Sequence, residues 1–190
     1  MGRFRTLATN ISGLVIIEPT VFGDERGYFM ETWNKREFEA IGLDVNFVQD
    51  NQSKSRKGVL RGLHFQKSKP QGKLVRVLFG EVFDVAVDLR KESSTYKEWF
   101  GVILSEENKK QLYIPEKFAH GFLVLSDIAV FSYKCTEYYD AHDEGGILWN
   151  DPEIGINWPI GESNVILSEK DKGFSTLVDF ECKKNEERLS

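Results

Sequence analysis

The sequence predicts a mainly β protein, a sandwich or barrel of short strands with few helices. Three observations carry that reading. Strand-like runs recur at short intervals, and each is closed by a turn signal. Phe83, Val85, Val87 and Leu89 alternate with Val82, Asp84, Ala86 and Asp88, the period of a pleated strand. Only one segment carries clear helix punctuation.

That helix comes early. Asn34 can cap it, Glu37 stands three residues later as in a capping box, Phe38 and Ile41 form an apolar stripe, and Gly42 stops it. Residues 74–79 are β-rich and run into Gly80-Glu81, which reads as a hairpin turn leading to the alternating strand. Further strands are expected over 99–104, over 111–114 up to Pro115, and over 122–125 before a turn at Ser126-Asp127. The longest is expected over 129–139. There is no internal repeat, low-complexity tract or linker, so one domain is expected over 1–190, with its core at about 13–177. The charged stretch 183–190 reads as a short helix or a frayed end.

Composition narrows the function. At 190 residues, 41% hydrophobic and 29% charged, the chain can bury one sizeable core. A net charge of -5 argues against nucleic acid or an anionic membrane as partner, so any anion site must gather its basic groups locally. Cys135 and Cys182 stand far apart in no CxxC pattern, which argues against a zinc cluster or a disulfide framework. There is no apolar leader and no run near the ~18 residues of a membrane span, so a cytoplasmic location is expected. The myristoylation-like start Met1-Gly2-Arg3-Phe4-Arg5-Thr6 lacks a second membrane signal. The sequons at Asn10 and Asn51 lack a secretory signal and are read as chance matches.

Chemistry concentrates in Val59-Leu60-Arg61-Gly62-Leu63-His64-Phe65-Gln66 and Gln71-Gly72-Lys73-Leu74-Val75-Arg76. Histidine is the side chain suited to take a proton near neutral pH, and arginine and lysine meet anions. His64 lies on a strand where it shares a face with Leu60 and Gly62, which fits a satisfied core histidine. Arg61 and Lys73 nearby would be costly to bury unpaired, which shifts weight to a polar cavity with His64 in its wall. His120 enters a strand beside Gly121 and fits a structural role as well as a ligand contact. His142 sits in a polar segment and reads as an exposed loop residue. The position two after His64 is Gln66, so the His-x-His pair of cupin metal sites is missing and no metal is expected. Tyr133 shares the more apolar face of its strand with Phe131 and Cys135 and is expected to point inward, either as core or as a general acid. Asp171 reads as a turn or cap residue, Gln49-Asp50-Asn51 as a polar turn, and 23–27 as a loop with an anion contact through Arg26.

These motifs resemble the dTDP-4-dehydrorhamnose 3,5-epimerase family from about residue 13 to 177. The blocks that carry the resemblance stand in the same order: Phe22-Gly23-Asp24-Glu25-Arg26-Gly27, Leu60-Arg61-Gly62-Leu63-His64-Phe65-Gln66, Phe118-Ala119-His120-Gly121-Phe122, Tyr133-Lys134-Cys135-Thr136 and Trp149-Asn150-Asp151-Pro152. The resemblance implies a cupin-like β jelly roll, a homodimer, and no metal or cofactor. It implies His64 as base with Asp171 as its partner, Tyr133 as acid, and Lys73 supporting an enolate. It assigns substrate contacts to Arg26, Glu31, Gln49, Asp50, Asn51, Arg61, His120, Glu144 and Lys170. The reaction implied is proton removal and return at C3 and C5 of a dTDP-4-keto-6-deoxy sugar. The alternatives are an epimerase acting at one carbon, a ketoisomerase on a related nucleotide sugar, and a non-catalytic sugar-nucleotide-binding jelly roll.

Overall fold

Alternating apolar positions give each strand a face to bury, and two sheets stacked face to face satisfy all of them at once. A computed structural model describes residues 2–161 and 164–182, so the stretch 183–190 lies outside the described residues. One sheet has six strands in the order β1 (Phe4–Ala8), β2 (Val15–Pro19), β10 (Gln111–Ile114), β7 (Lys73–Phe79), β12 (Ile128–Cys135) and β5 (Gln49–Arg56). The other has five, in the order β13 (Glu144–Gly146), β6 (Leu60–Gln66), β11 (Phe118–Val124), β8 (Glu81–Asp88) and β9 (Trp99–Ser105). A separate hairpin joins β3 (Val21–Asp24) to β4 (Gly27–Met30). The named strands pair antiparallel throughout, and from β5 onward the chain passes between the two sheets at every step except β8 to β9, as in a jelly roll.

The core between the sheets is built from the inward faces of both. Val75, Val77 and Phe131 from the six-stranded sheet meet Val82, Ala86, Leu104 and Phe122 from the other. The Phe122 and Phe131 rings stack with centroids 4.1 Å apart. The outer faces are covered too. Helix α1 (Lys35–Ala40) seats Phe38 on Phe4, Ile17 and Leu74, outside the six-stranded sheet. Ile147, Ile154 and Leu177 pack on Leu63, Val85, Val87 and Ala119, outside the five-stranded one. This second cover explains why β11 is buried along its whole length.

Several expectations meet corrections. The capping side chain of Asn34 accepts from the amides of Arg36 and Glu37, but Glu37 does not close a capping box. Its carboxylate accepts the Arg3 amide at 3.0 Å instead and ties the helix to the start of β1. The Gly80 turn is a corner between sheets, not a hairpin, because β7 and β8 pair with different neighbours. A Cβ at Gly80 would stand 2.1 Å from the Ile128 carbonyl oxygen. The strand expected at 122–125 starts at Phe118, and the one expected over 129–139 ends at Cys135. Residues 49–51, read as a turn, begin the edge strand β5. Its sequence, Gln-Asp-Asn-Gln-Ser-Lys-Ser-Arg, has no apolar residue to signal a strand.

The most consequential correction concerns β6. His120 pairs with His64 and Phe122 with Arg61, so β6 advances three residues while β11 advances two. The extra residue is a bulge that reverses the alternation. Leu60 and Leu63 therefore face the outer covers, and Arg61 and His64 face inward together. Gly62 makes this possible. Its φ of +139° favours glycine, and a Cβ there would lie 2.5 Å from the Gly121 Cα. Gly62→Ala is expected to destabilise the fold by about 2–4 kcal/mol. A urea-unfolding midpoint equal to that of the unaltered protein would show that the junction relaxes freely.

Candidate active site

Between the sheets, at the end where β5, β6, β7 and β12 come together, lies a cavity of about 380 Å³. That is a volume small-molecule sites occupy. Its two walls belong to different sheets. Arg61, His64 and His120 come from the five-stranded sheet, and Gln49, Asn51, Lys73 and Tyr133 from the six-stranded one. Glu144 from β13 and Lys170 from helix α2 (Glu169–Lys172) complete the rim.

Asp171, a buried residue of α2, places Oδ1 2.6 Å from His64 Nε2. Burial pushes its carboxyl up, but hydrogen bonds from His64 and Ser168 outweigh that and hold it below the usual value. An ionised carboxylate only accepts, so His64 Nε2 donates to it and Nδ1 is left as the basic atom. The Phe174 ring packs edge-on to His64 with centroids 5.6 Å apart. It occupies the space a side chain at Gly146 would need, since a Cβ there would come within 2.3 Å of the ring. Nothing in the local sequence marks Asp171 as the partner of a histidine 107 residues away; the resemblance alone pointed to it.

A second pair stands beside the first. His120 is the cross-strand neighbour of His64, and its Nε2 lies 3.0 and 3.2 Å from the two carboxylate oxygens of the fully buried Asp84. Asp84 was visible in the sequence only as the polar break in an apolar run. Opposite, burial pushes the Lys73 ammonium below its ordinary value, against the pull of Cys135, Asp84 and Glu144. Burial likewise raises the Tyr133 phenol and the Cys135 thiol, so both keep their protons at neutral pH. Tyr133, Phe131 and Cys135 do share the inward face of β12.

The rim is a set of paired charges. Lys170 Nζ donates to Glu144 at 2.8 Å, and the Tyr139 hydroxyl donates to its other oxygen at 2.9 Å. Burial raises the Glu144 carboxyl, but these two donors and His64 bring it below the usual range. Arg61 Nε donates to Ser55, and Gln49 donates to Asn51 at 2.9 Å. Tyr139, Gln66 and Ser53 also line the cavity, and none was given a binding or catalytic role in the sequence.

Three of the expected contact residues lie elsewhere in this chain. Asp50 follows the β5 alternation to the outer face, where it pairs with Lys134 at 2.5 Å. Arg26 sits at the exposed turn of the β3–β4 hairpin, bound to Asp24. Glu31 follows β4, and its Oε2 is buried without a hydrogen-bond partner among the described residues. His142 is exposed. Among the described residues no cluster of three metal-binding side chains occurs and no helix is long and apolar enough to cross a membrane.

A jelly roll whose inter-sheet cavity holds a histidine–aspartate pair, a lysine and a tyrosine defines a class of proteins equipped to move protons on a small polar molecule. The family model described as dTDP-4-dehydrorhamnose 3,5-epimerase matches residues 8–179, and the chain belongs to that family. The chain is 59% identical over 178 residues to the dTDP-4-dehydrorhamnose 3,5-epimerase of Methanothermobacter thermautotrophicus, covering 93% of this chain and 96% of that one. It is 61% identical over 158 residues to the enzyme of that name from Salmonella typhimurium, covering 82% and 86%. The fold superposes with a TM-score of 0.88, at 54% identity and 94% and 96% coverage, on a dTDP-6-deoxy-D-glucose-3,5-epimerase from Legionella pneumophila in complex with dTDP-4-keto-L-rhamnose.

The depressed Asp171 carboxyl links the site to stability. A carboxylate held low by its partners stabilises the fold above its unfolded value of 3.8, and the contribution is lost as pH falls through the lower folded value. Urea midpoints between pH 5 and 2 are expected to fall less steeply for Asp171→Asn than for the unaltered protein. Parallel curves would show that the His64 bond gives Asp171 no differential stability.

Proposed function

We propose that the protein converts dTDP-4-dehydro-6-deoxy-D-glucose to dTDP-4-dehydro-L-rhamnose, removing and returning a proton at C3 and then at C5 without a cofactor. One observation carries the reading: in a chain of this family, His64 with its aspartate and Tyr133 line one cavity from different sheets. Inversion needs a proton taken from one side of a carbon and returned from the other. His64 Nδ1 takes the proton next to the ketone, and Asp171 stabilises the imidazolium that results. Negative charge then builds on the ketone oxygen. Lys73 lies in the same cavity and stabilises that enolate; burial weakens its ammonium, and a neighbouring negative charge favours it. Tyr133, held protonated, donates from the opposite wall.

Substrate binding reuses the rim. Arg61 and Lys170 meet the diphosphate, which competes with Glu144 for Lys170. His120 contacts the sugar from the wall beside His64, and Gln49 and Asn51 offer amide groups from β5.

A homodimer completes the reading. The β3–β4 hairpin forms a sheet of its own and exposes Val21, Phe22, Tyr28 and Phe29 around Arg26. On the outer face of the six-stranded sheet, Gln111 Nε2 is buried without a hydrogen-bond partner among the described residues, beside its cross-strand neighbour Arg76. Unpaired buried donors beside exposed apolar groups fit coverage by a second copy. Arg26 and Glu31 then reach the site of the neighbouring subunit and not their own.

Proton NMR of the protein with this substrate in heavy water is the direct test. Deuterium at both C3 and C5, with the L-rhamno ketone as product, is expected. Exchange and inversion at one carbon select a mono-epimerase, and no exchange overturns the reading. His64→Ala is expected to lower turnover by about 10²–10⁴-fold with little loss of nucleotide affinity. Tyr133→Phe is expected to keep deuterium exchange while losing inversion. For the dimer, chains carrying Arg26→Ala and His64→Ala are mixed after subunit exchange. Recovery of activity is expected, because each mixed dimer contains one site with both residues intact, and no recovery removes Arg26 from its neighbour's site.

A further inference from the structure

We propose that Ser168 is a positioning residue for the proton-abstracting pair and not only a helix cap; this rests on the roles given above to His64 and Asp171. Helix α2 is a single turn of four residues, too short to hold its own register. Its place is set from outside. Two residues before Ser168, Ile166 is bonded to the start of β6 and the turn before it, through its amide to the Gly58 carbonyl at 2.8 Å and its carbonyl to the Leu60 amide at 3.0 Å. Between that anchor and Asp171, the hydroxyl of Ser168 makes two bonds to the same residue. It accepts the Asp171 amide at 3.1 Å and donates to Asp171 Oδ2 at 2.8 Å.

The two carboxylate oxygens of Asp171 are therefore divided. Oδ2 is held by Ser168, and Oδ1 is presented to His64. A donor on Oδ2 stops the carboxylate from turning about its Cβ–Cγ bond and fixes Oδ1 along the His64 N–H. The neighbouring pair lacks such a division, since Asp84 gives both oxygens to His120. The Ser168 hydroxyl also draws charge from the carboxylate, which tempers how strongly Asp171 stabilises the His64 imidazolium. One oxygen atom thus sets both the direction and the strength of the aspartate's action.

Ser168→Gly separates these roles from capping, because glycine is itself accepted at helix N-caps but carries no hydroxyl. It is expected to lower kcat about tenfold with little change in KM. It should also move the acidic limb of the kcat–pH profile to higher pH, because the carboxylate regains the charge that the hydroxyl had drawn off. Ser168→Thr keeps the hydroxyl and is expected to restore most of the rate. The three histidines of the chain make an imidazole NMR titration readable. His64 should titrate at higher pH in Ser168→Gly, with exposed His142 unmoved. A lowered melting temperature with an unchanged kcat, pH profile and His64 titration would reduce Ser168 to a cap. A threonine variant as impaired as the glycine one would exclude the hydroxyl. If Ser168→Gly does not fold, Ser168→Cys, near-isosteric but a weak donor, is read by the same two profiles. Full turnover in His64→Ala would instead remove the base assignment on which the proposal stands.

Discussion

The backbones of β6 and β11 touch where Gly62 meets Gly121, and the site depends on that contact. A side chain at either position would collide with the other strand; at Gly121 a Cβ would lie 2.8 Å from the Arg61 carbonyl oxygen. The close approach accommodates the extra residue in β6, and the extra residue turns Arg61 and His64 to the same side. Without it, a strand with strict period two would send one of them into the apolar cover of Ile147 and Leu177. Neither side chain belongs there. The fold tolerates an irregular strand because the irregularity gathers the polar groups in one place and leaves Leu60 and Leu63 to the apolar covers.

Gathering basic groups inside an acidic protein raises an electrostatic problem, which the structure solves by pairing. Asp171 answers His64, Asp84 answers His120, and Glu144 answers Lys170. Each carboxylate behind a histidine sits deeper than its partner: the Asp171 side chain is 4% exposed against 26% for His64. The acids are thus fixed by the scaffold and the bases are turned to the cavity. Lys73 has no carboxylate within bonding distance among the described residues, and burial weakens its charge. A lysine without a bonded carboxylate has no salt bridge to break when an anion is bound beside it.

How much of this was legible in the sequence follows from which signals are local. The helix at 35–40 was legible because its cap, stripe and stop lie within nine residues. The inward face of β12 was legible because Phe131, Tyr133 and Cys135 keep a regular alternation. Strand β5 was not, because its inward residues Gln49, Asn51 and Ser53 line a polar cavity and Ser55 accepts from Arg61, so none is apolar. The facing of His64 was not, because a bulge is written in the partner strand as much as in its own. Asp171 was not, since a cap residue and a catalytic partner look the same until the chain folds back across the barrel. Arg26 was read as an anion contact on its loop, Glu31 and Asp50 came as contacts from resemblance alone, and one chain does not gather the three at the cavity.

The division of labour between the two sheets has a consequence for stereochemistry. The proposed base belongs to β6 and the proposed acid to β12, strands joined by no direct hydrogen bonds. Their separation is set by the packing of the core beside the cavity, where Phe122 stacks on Phe131. Both rings neighbour groups given roles above: Phe131 lies two residues from Tyr133 on the same face, and Phe122 two from His120. The aromatic stack therefore acts as a spacer between the two sheets that carry the proposed base and acid. A sugar ring seated between the walls presents opposite faces to the two groups, and a wider or narrower gap changes which carbon lies within reach of both. On this view the number of centres inverted is a property of sheet packing as well as of the residues that carry the protons.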